Sequence, residues 1–230
     1  MRILHCTDTY PPQVNGVSVV TALAVDGLIE RGIEVALVAP RYPREVPMVF
    51  GATRAPTAQL ALPACDFPPY PGIRLTWPRP QAVERFARAF RPDLVHADTE
   101  FVVGRLGARA ARLLGVPLVT SFHTNFAQYT EFYGVSWLRG PVTRSLQRFH
   151  QRASRIFTPS SVTAGWLREH GLPQAEVWGR AVDVNVFNPA RRTSAWRQRL
   201  QFRDEVVFLH VGRLAAEKNV DLLLRGFAAA

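Results

Sequence analysis

Three stretches of the chain bring together residue types that hold and stabilise charge. His123-Thr124-Asn125-Phe126-Ala127-Gln128-Tyr129 sets an imidazole, a hydroxyl, an amide and a phenol side by side. An imidazole changes charge near neutral pH, and polar neighbours can orient it on a ligand. Val211-Gly212-Arg213-Leu214-Ala215-Ala216-Glu217-Lys218 pairs a glycine, where backbone can approach a ligand, with two basic side chains. Arg213 and Lys218 at a helix start suit a diphosphate; the plain alternative is a solvated Lys218 and an Arg213 paired with Glu217. In Asp8 to Val17 there is no GxGxxG, which argues against a dinucleotide dehydrogenase. Asn15 and Gly16 nevertheless open a helix whose unpaired N–H groups can take a phosphate, or they form an ordinary turn. His96, Asp98 and Glu100 do not make a DxD motif, and neither Asp8 nor Asp183 has a suitably spaced partner, so no metal is expected. Capping and loop hydrogen bonds account for these acids.

Strands must carry such residues to one place. Arg2–Cys6 reads as a strand and Thr7–Gly16 as a loop, after which Val17, Val20, Ala24 and Leu28 share one helix face. Gly32 stops that helix, and Ile33–Ala39 is a second strand ended by Pro40. The alternation returns at Leu94–Ala97, a helix face of Val103, Leu106, Ala110 and Leu113, and Pro117–Phe122. It returns again at Arg155–Thr158, a helix after Ser160 ending at Gly171, and Glu176–Trp178. Strand and helix in turn predict an α/β fold with a doubly wound parallel sheet, whose ligands lie at the carboxyl ends of the strands. Val46–Pro80 carries eight prolines and reads as a surface crossing with a short strand at Ile73–Trp77. An Arg-rich connection over Ala190–Arg203 leads to a fresh strand, Val206–Val211, and a helix capped by Asn219 with Val220, Leu223, Leu224 and Phe227 on one face. A first domain over 1–190 and a second beginning within 191–230, cut off before a partner strand, follow from this pattern.

Lys plus Arg number 28 against 18 Asp plus Glu, and all but one of the bases is Arg. Between Phe101 and Arg168 nine Arg face a single acid, Glu131, so something acidic can dock there: a phosphorylated ligand, nucleic acid or an anionic membrane. Arg144, Arg148, Arg152 and Arg155 recur at helical intervals on a face apart from Val142, Leu146, Phe149 and Ala153. At about 1 kcal/mol per basic residue such a stripe attaches reversibly to anionic lipid, the alternative being a solvated face. It lacks interleaved aromatics for base stacking, so nucleic acid is not expected. No apolar run approaches the roughly 20 residues of a membrane-spanning helix. The amino terminus has no secretory pattern, and the expected location is the cytoplasm, with peripheral attachment at the inner face of the membrane. Cys6 and Cys65 form neither a CxxC pair nor a disulfide framework.

The chain resembles the retaining nucleotide-sugar glycosyltransferases of family 4, built on two facing Rossmann-like domains (the GT-B fold). The resemblance rests on Tyr10-Pro-Pro-Gln-Val-Asn-Gly16-Val17, His123 to Tyr129, Pro159-Ser160, Gly179 to Asp183 with Phe187 and Pro189, and Val211 to Lys218, in the family's order over almost the whole length. Within the family it is most similar to GDP-mannose-dependent α-mannosyltransferases and related glycolipid sugar transferases. It implies an acceptor-side GT-B domain over 1–190, followed by the first strand and helix of a truncated donor-side domain. It also implies a nucleotide-sugar donor, GDP-mannose, a lipid or glycan acceptor, and no other cofactor. Gly16, Arg213 and Lys218 would meet the donor diphosphate, His123 the transferred sugar, and Asn15, Thr124, Asn125 and Tyr129 the sugar or acceptor. The family's paired glutamates, seven residues apart, would lie beyond Ala230, so these residues alone would be inactive. Two other readings are a non-catalytic binding module using the Arg-rich face, and a nucleotide-sugar epimerase, whose different acids and bases are not seen.

Overall fold

The computed structural model describes residues 1–43, 54–67, 74–179, 182, 184, 186–212, 214–215 and 218–229. They fall into two units, Met1–Asn125 with Pro141–Ala181, and Phe126–Gly140 with Val182–Ala230.

The first unit holds a seven-stranded sheet. In chain order its elements are β1 (Arg2–Cys6), α1 (Gly16–Glu30), β2 (Glu34–Pro40), β3 (Ala58–Leu62), β4 (Ala64–Asp66), β5 (Arg74–Thr76), α2 (Pro80–Phe90), β6 (Leu94–Ala97), α3 (Val102–Leu114) and β7 (Leu118–Ser121). After α4 (Phe126–Phe132) come α5 (Arg139–His150), β8 (Arg155–Thr158), α6 (Ser161–Glu169) and β9 (Ala175–Val177). The strands lie in the order β3-β2-β1-β6-β7-β8-β9, every neighbouring pair parallel. This is the expected doubly wound sheet, and it explains the near-continuous apolar strands: Val35 to Ala39 of β2 are all buried because helices cover both faces.

Neighbours in register share a face. His5 pairs with Leu37 and His96, on the side where Ala22 and Val25 of α1 pack with Val35, Leu37 and Ala39. Cys6 pairs with Ala97 on the other side, against α3. Two glycines let α3 come that close. A Cβ on Gly107 would meet Cys6 Cβ and Sγ at 2.7 Å, and one on Gly104 would stand 1.6 Å from the Thr99 carbonyl oxygen.

Several expectations need correction. The buried face of α1 is Ser18, Thr21, Ala22 and Val25, while Val17, Val20, Ala24 and Leu28 are half-buried. Polar partners turn the helix, because Ser18 and Thr21 donate to Gln13 and Asp98. On α3 Leu113 is exposed and Ala111 is buried in its stead, following the close approach at Gly104 and Gly107. The proline-rich crossing contains an edge strand, β3, bracketed by Pro56 and Pro63 and paired with β2. The short strand expected at Ile73–Trp77 is β5, antiparallel to β4.

The second unit contains α4, α7 (Ala195–Arg199) and α8 (Val220–Ala228). Val206–Val211, expected as a strand, forms none; Leu209 and Val211 are 83% and 85% exposed. A strand exists only against a hydrogen-bonding neighbour, and none of the described residues supplies one. Asn219 does stand before α8, but at φ 47° and with no side-chain cap bond. Among the described residues no helix is long and apolar enough to cross a membrane.

Gly104→Ala should lower unfolding stability by about 3 kcal/mol or more, because backbone must move to admit the methyl group. Gly140→Ala, with nothing within 4 Å of its Cβ, should leave stability level or raise it by about 0.5 kcal/mol. Urea unfolding of the two variants checks the contrast; equal effects would disprove the steric account.

Candidate active site

Strand order reverses between β1 and β6: the chain builds outward to β3 on one side and to β9 on the other. At such a point the loops leaving the two strands diverge and open a crevice at their carboxyl ends. The Asp8 carboxylate ties the crevice together. It accepts from the Thr99 hydroxyl at 2.6 Å and from the N–H groups of Val103 and Gly104 at 2.8 and 3.3 Å, capping α3 from the loop after β1. Burial raises its carboxyl above the usual range, although these three donors pull the other way. The same loop is held from above by Tyr42, whose hydroxyl donates to Gln13 Oε1 at 3.0 Å and accepts from the Tyr10 N–H.

Asn15 is the N-cap of α1. Its side-chain oxygen accepts from the Ser18 N–H at 2.9 Å, and its amide donates to the Thr9 hydroxyl at 2.8 Å. That fixes the N–H groups of Gly16 and Val17 at the crevice, where helix geometry gives them no acceptor within the helix.

Asp98, one residue past β6, is buried and gathers the site. Its Oδ1 accepts from His123 Nε2 at 3.0 Å, and its Oδ2 from the Thr21 hydroxyl. His96 Nε2 lies 3.7 Å from Oδ1 and bonds Ser121 Oγ at 2.7 Å; His5 Nε2 lies 3.9 Å from Oδ2. Burial works to raise the Asp98 carboxyl, but the charge and hydrogen bond of His123, joined by His5, outweigh it and hold the group well below the usual carboxylate range. An ionised Asp98 assigns the proton to Nε2 of His123 and locks the ring. Burial, with His5 beside it, pushes the His96 imidazole down to about 3. His5, His96 and Asp98 could each offer an atom to a metal, these atoms lying within 4.8 Å of one another. Asp98 and His96 already spend those atoms on Thr21, His123 and Ser121. Of these three residues His5 alone has both ring nitrogens without a hydrogen-bond partner among the described residues.

His123 follows β7, as expected, and lines a recess of about 10 Å³ with Val20 of α1, Phe157, Thr158, Pro159 and Trp178, room for about one water. Thr124 and Asn125 are half-buried in the same loop. Tyr129 belongs to the second unit, on α4, edge-on to Phe126 and Phe132. Lys218, also in that unit, is exposed and gives its N–H to the Ala215 carbonyl; Arg213 and Glu217 lie outside the described residues. On α5 Leu146 and Phe149 are buried, with Ala153 just beyond, as read from the sequence, while Val142 is only half-buried and His150 joins the buried side. Because the helix ends at His150, Arg152 sits in the following turn and Arg155 in β8, where it pairs with Glu176. Arg144 and Arg148 are exposed on α5. The residue that sequence reading missed is Asp98. Its partners lie 25 and 77 positions away, and the only available signal was an acid directly after a strand beside the switch point.

A polar, partly charged site at the switch point of a doubly wound sheet defines a Rossmann-like ligand-binding domain. The chain belongs to glycosyltransferase family 4, whose model matches residues 14–186. It is 33% identical, over 97% of its length and 59% of the relative, to a GDP-mannose-dependent alpha-mannosyltransferase of Mycolicibacterium smegmatis. An alpha-monoglucosyldiacylglycerol synthase of Streptococcus pneumoniae is 24% identical over 99% of this chain and 52% of that protein. Sucrose-phosphate synthase from Thermosynechococcus elongatus superposes on 100% of the chain and 60% of its own, with a TM-score of 0.71 at 16% identity, a likeness of fold. The chain thus spans somewhat over half the length of the curated relatives it matches.

The His96 imidazole, held at about 3 when folded and near 6.5 when unfolded, takes up its proton only on unfolding between those values. Stability must therefore fall as pH drops below 6.5, by about 2 kcal/mol from this group between pH 7 and pH 5. Urea unfolding at the two pH values should show that loss, and His96→Gln, which keeps a donor for Ser121 without the titration, should remove most of it.

Proposed function

We propose that this chain carries the acceptor-side domain of a retaining glycosyltransferase that moves mannose from GDP-mannose to a lipid or glycan, together with the beginning of its donor-side domain. The observation that carries the reading is His123: its imidazole ends β7 beside the first turns of α1, with Nε2 tied to the buried Asp98 carboxylate. Family membership and the donor in the name of the mycobacterial relative support it.

In the transfer, the bond between the sugar's anomeric carbon and the diphosphate oxygen breaks, and negative charge grows on the departing phosphate. Arg213 and Lys218 meet that charge from the donor-side segment, and the N–H groups of Gly16 and Val17 meet it from the acceptor side. The acceptor hydroxyl bonds the anomeric carbon on the face the diphosphate leaves, and its proton passes to a leaving phosphate oxygen. His123 is then a positioning group for the transferred sugar, with Asn15, Thr124, Asn125 and Tyr129 near sugar or acceptor. Asp98 acts through His123. A lipid acceptor accords with the diacylglycerol in the streptococcal relative's name and with reversible attachment of Arg144, Arg148 and Arg152 to an anionic membrane face.

In the full polypeptide that the gene encodes, His123→Ala should cut mannosyl transfer by about 100-fold with folding intact. Asp98→Asn, which keeps the shape and removes the charge, should lower kcat by about tenfold while the donor KM moves little. Near-normal turnover in a well-folded His123→Ala protein would sink the reading.

Arg213→Ala and Lys218→Ala should each weaken GDP binding more than guanosine binding, by about tenfold for the diphosphate. Calorimetry with the two ligands separates the effects; equal losses would make these side chains supports of the fold.

A further inference from the structure

One groove of the first unit lies away from the crevice. It lies between α3 and α5, about 550 Å³ in volume, and its floor is the turn entering β7 and the turn entering β8. His123 leaves the opposite end of β7, one strand length away, roughly 13 Å for four residues. A ligand in this groove is therefore neither the donor nor the acceptor of a reaction at His123.

Five arginines line it: Arg105, Arg109 and Arg112 along α3, Arg148 on α5, and Arg152 in the turn beyond. No acid is among the lining residues. Arg109 is engaged from outside by Glu84 at 2.7 Å, and Arg105 donates to Ser145 at 2.9 Å while lying over the Phe149 ring at 5.5 Å. Arg112, Arg148 and Arg152 have no hydrogen bond or ion pair among the described residues. Cations at the carboxyl ends of two helices offset the helix dipoles, but that accounts for one or two charges at most. Arg112, Arg148 and Arg152 therefore bring to one groove three positive charges that no acid among the described residues offsets. Beneath the charges lie Leu118, Phe149 and Ala153, all less than 8% exposed, so the floor is firm and dry while the rim is cationic. The volume falls in the range of small-molecule sites, and planar guanidinium forks match phosphate oxygens two at a time.

We propose that the α3–α5 groove is a binding site for a ligand bearing two or more phosphate groups, separate from the transfer site. It stands whether or not the chain transfers a sugar. Two of the arginines are ones the sequence assigned to a diffuse membrane-facing stripe; here they join three from another helix to make a localised site. The phosphate groups can belong to a soluble metabolite or to a phospholipid headgroup cluster.

Calorimetry of this chain with inorganic tripolyphosphate should show one-to-one binding. The variant Arg112→Gln/Arg148→Gln/Arg152→Gln should weaken it at least tenfold. A variant removing the same charge elsewhere, Arg41→Gln/Arg85→Gln/Arg88→Gln, should weaken it less than threefold. All six side chains are exposed, and circular dichroism verifies that both variants fold. Absence of binding to the wild-type chain, or an equal loss in the two variants, overturns the proposal, the latter because general charge then suffices. Co-sedimentation with phosphatidylglycerol-containing vesicles identifies the source. Displacement from vesicles by tripolyphosphate, lost in the groove variant, assigns a lipid headgroup; vesicle binding indifferent to tripolyphosphate assigns a soluble ligand.

Discussion

An ionised carboxylate buried at the edge of a parallel sheet is expensive unless its oxygens are met, and at Asp98 that requirement organises the first unit. One oxygen is met from α1 through Thr21 and the other from the loop after β7 through His123. Three segments distant in sequence converge because one charge needs them. The helix rotates to deliver Thr21, which explains why its buried side is partly polar. The imidazole is fixed in one tautomer, which gives the candidate transfer site a defined geometry before any ligand arrives.

Asp8 plays the complementary part. It closes the amino end of α3 from the neighbouring loop, and Gly104 lets that helix sit directly on the Thr99 carbonyl. The crevice thus has a wall with little freedom to shift. On the far edge of the sheet the chemistry inverts: where the carboxyl ends of the strands gather acids and imidazoles, their amino ends between α3 and α5 carry arginines over an apolar floor. A doubly wound sheet has two polar edges, and here they differ in sign.

Much of this was legible beforehand. Leu94–Ala97 and Arg155–Thr158 are strands over the residues their pattern indicates, and Gly115 and Gly171 stop helices in the left-handed conformation that glycine favours. These features are local, set by burial on both faces and by turn chemistry. β3 escaped notice because Ala-Gln-Leu-Ala-Leu between prolines has no β-branched residue; it is a strand only because the outer edge of β2 offers partners. Val206–Val211 fails for the converse reason, a strong strand pattern with no partner among the described residues. At the site, the position of His123 could be read from a polar cluster after a strand, whereas Asp98 could not be told from a capping acid, since its role arises from contacts across 25 and 77 positions.

The two cysteines of the chain live in opposite worlds. Cys6 is buried against Gly107, and burial, with Asp8 nearby, lifts its thiol far above the ordinary range. With no thiolate to react, it is inert to oxidants and alkylating reagents. Cys65 is exposed on β4, in the small antiparallel sheet that β4 and β5 form apart from the seven-stranded one. A thiol reagent therefore finds one address in these 230 residues, so a fluorophore or spin label can be attached at a single known position without first engineering the chain.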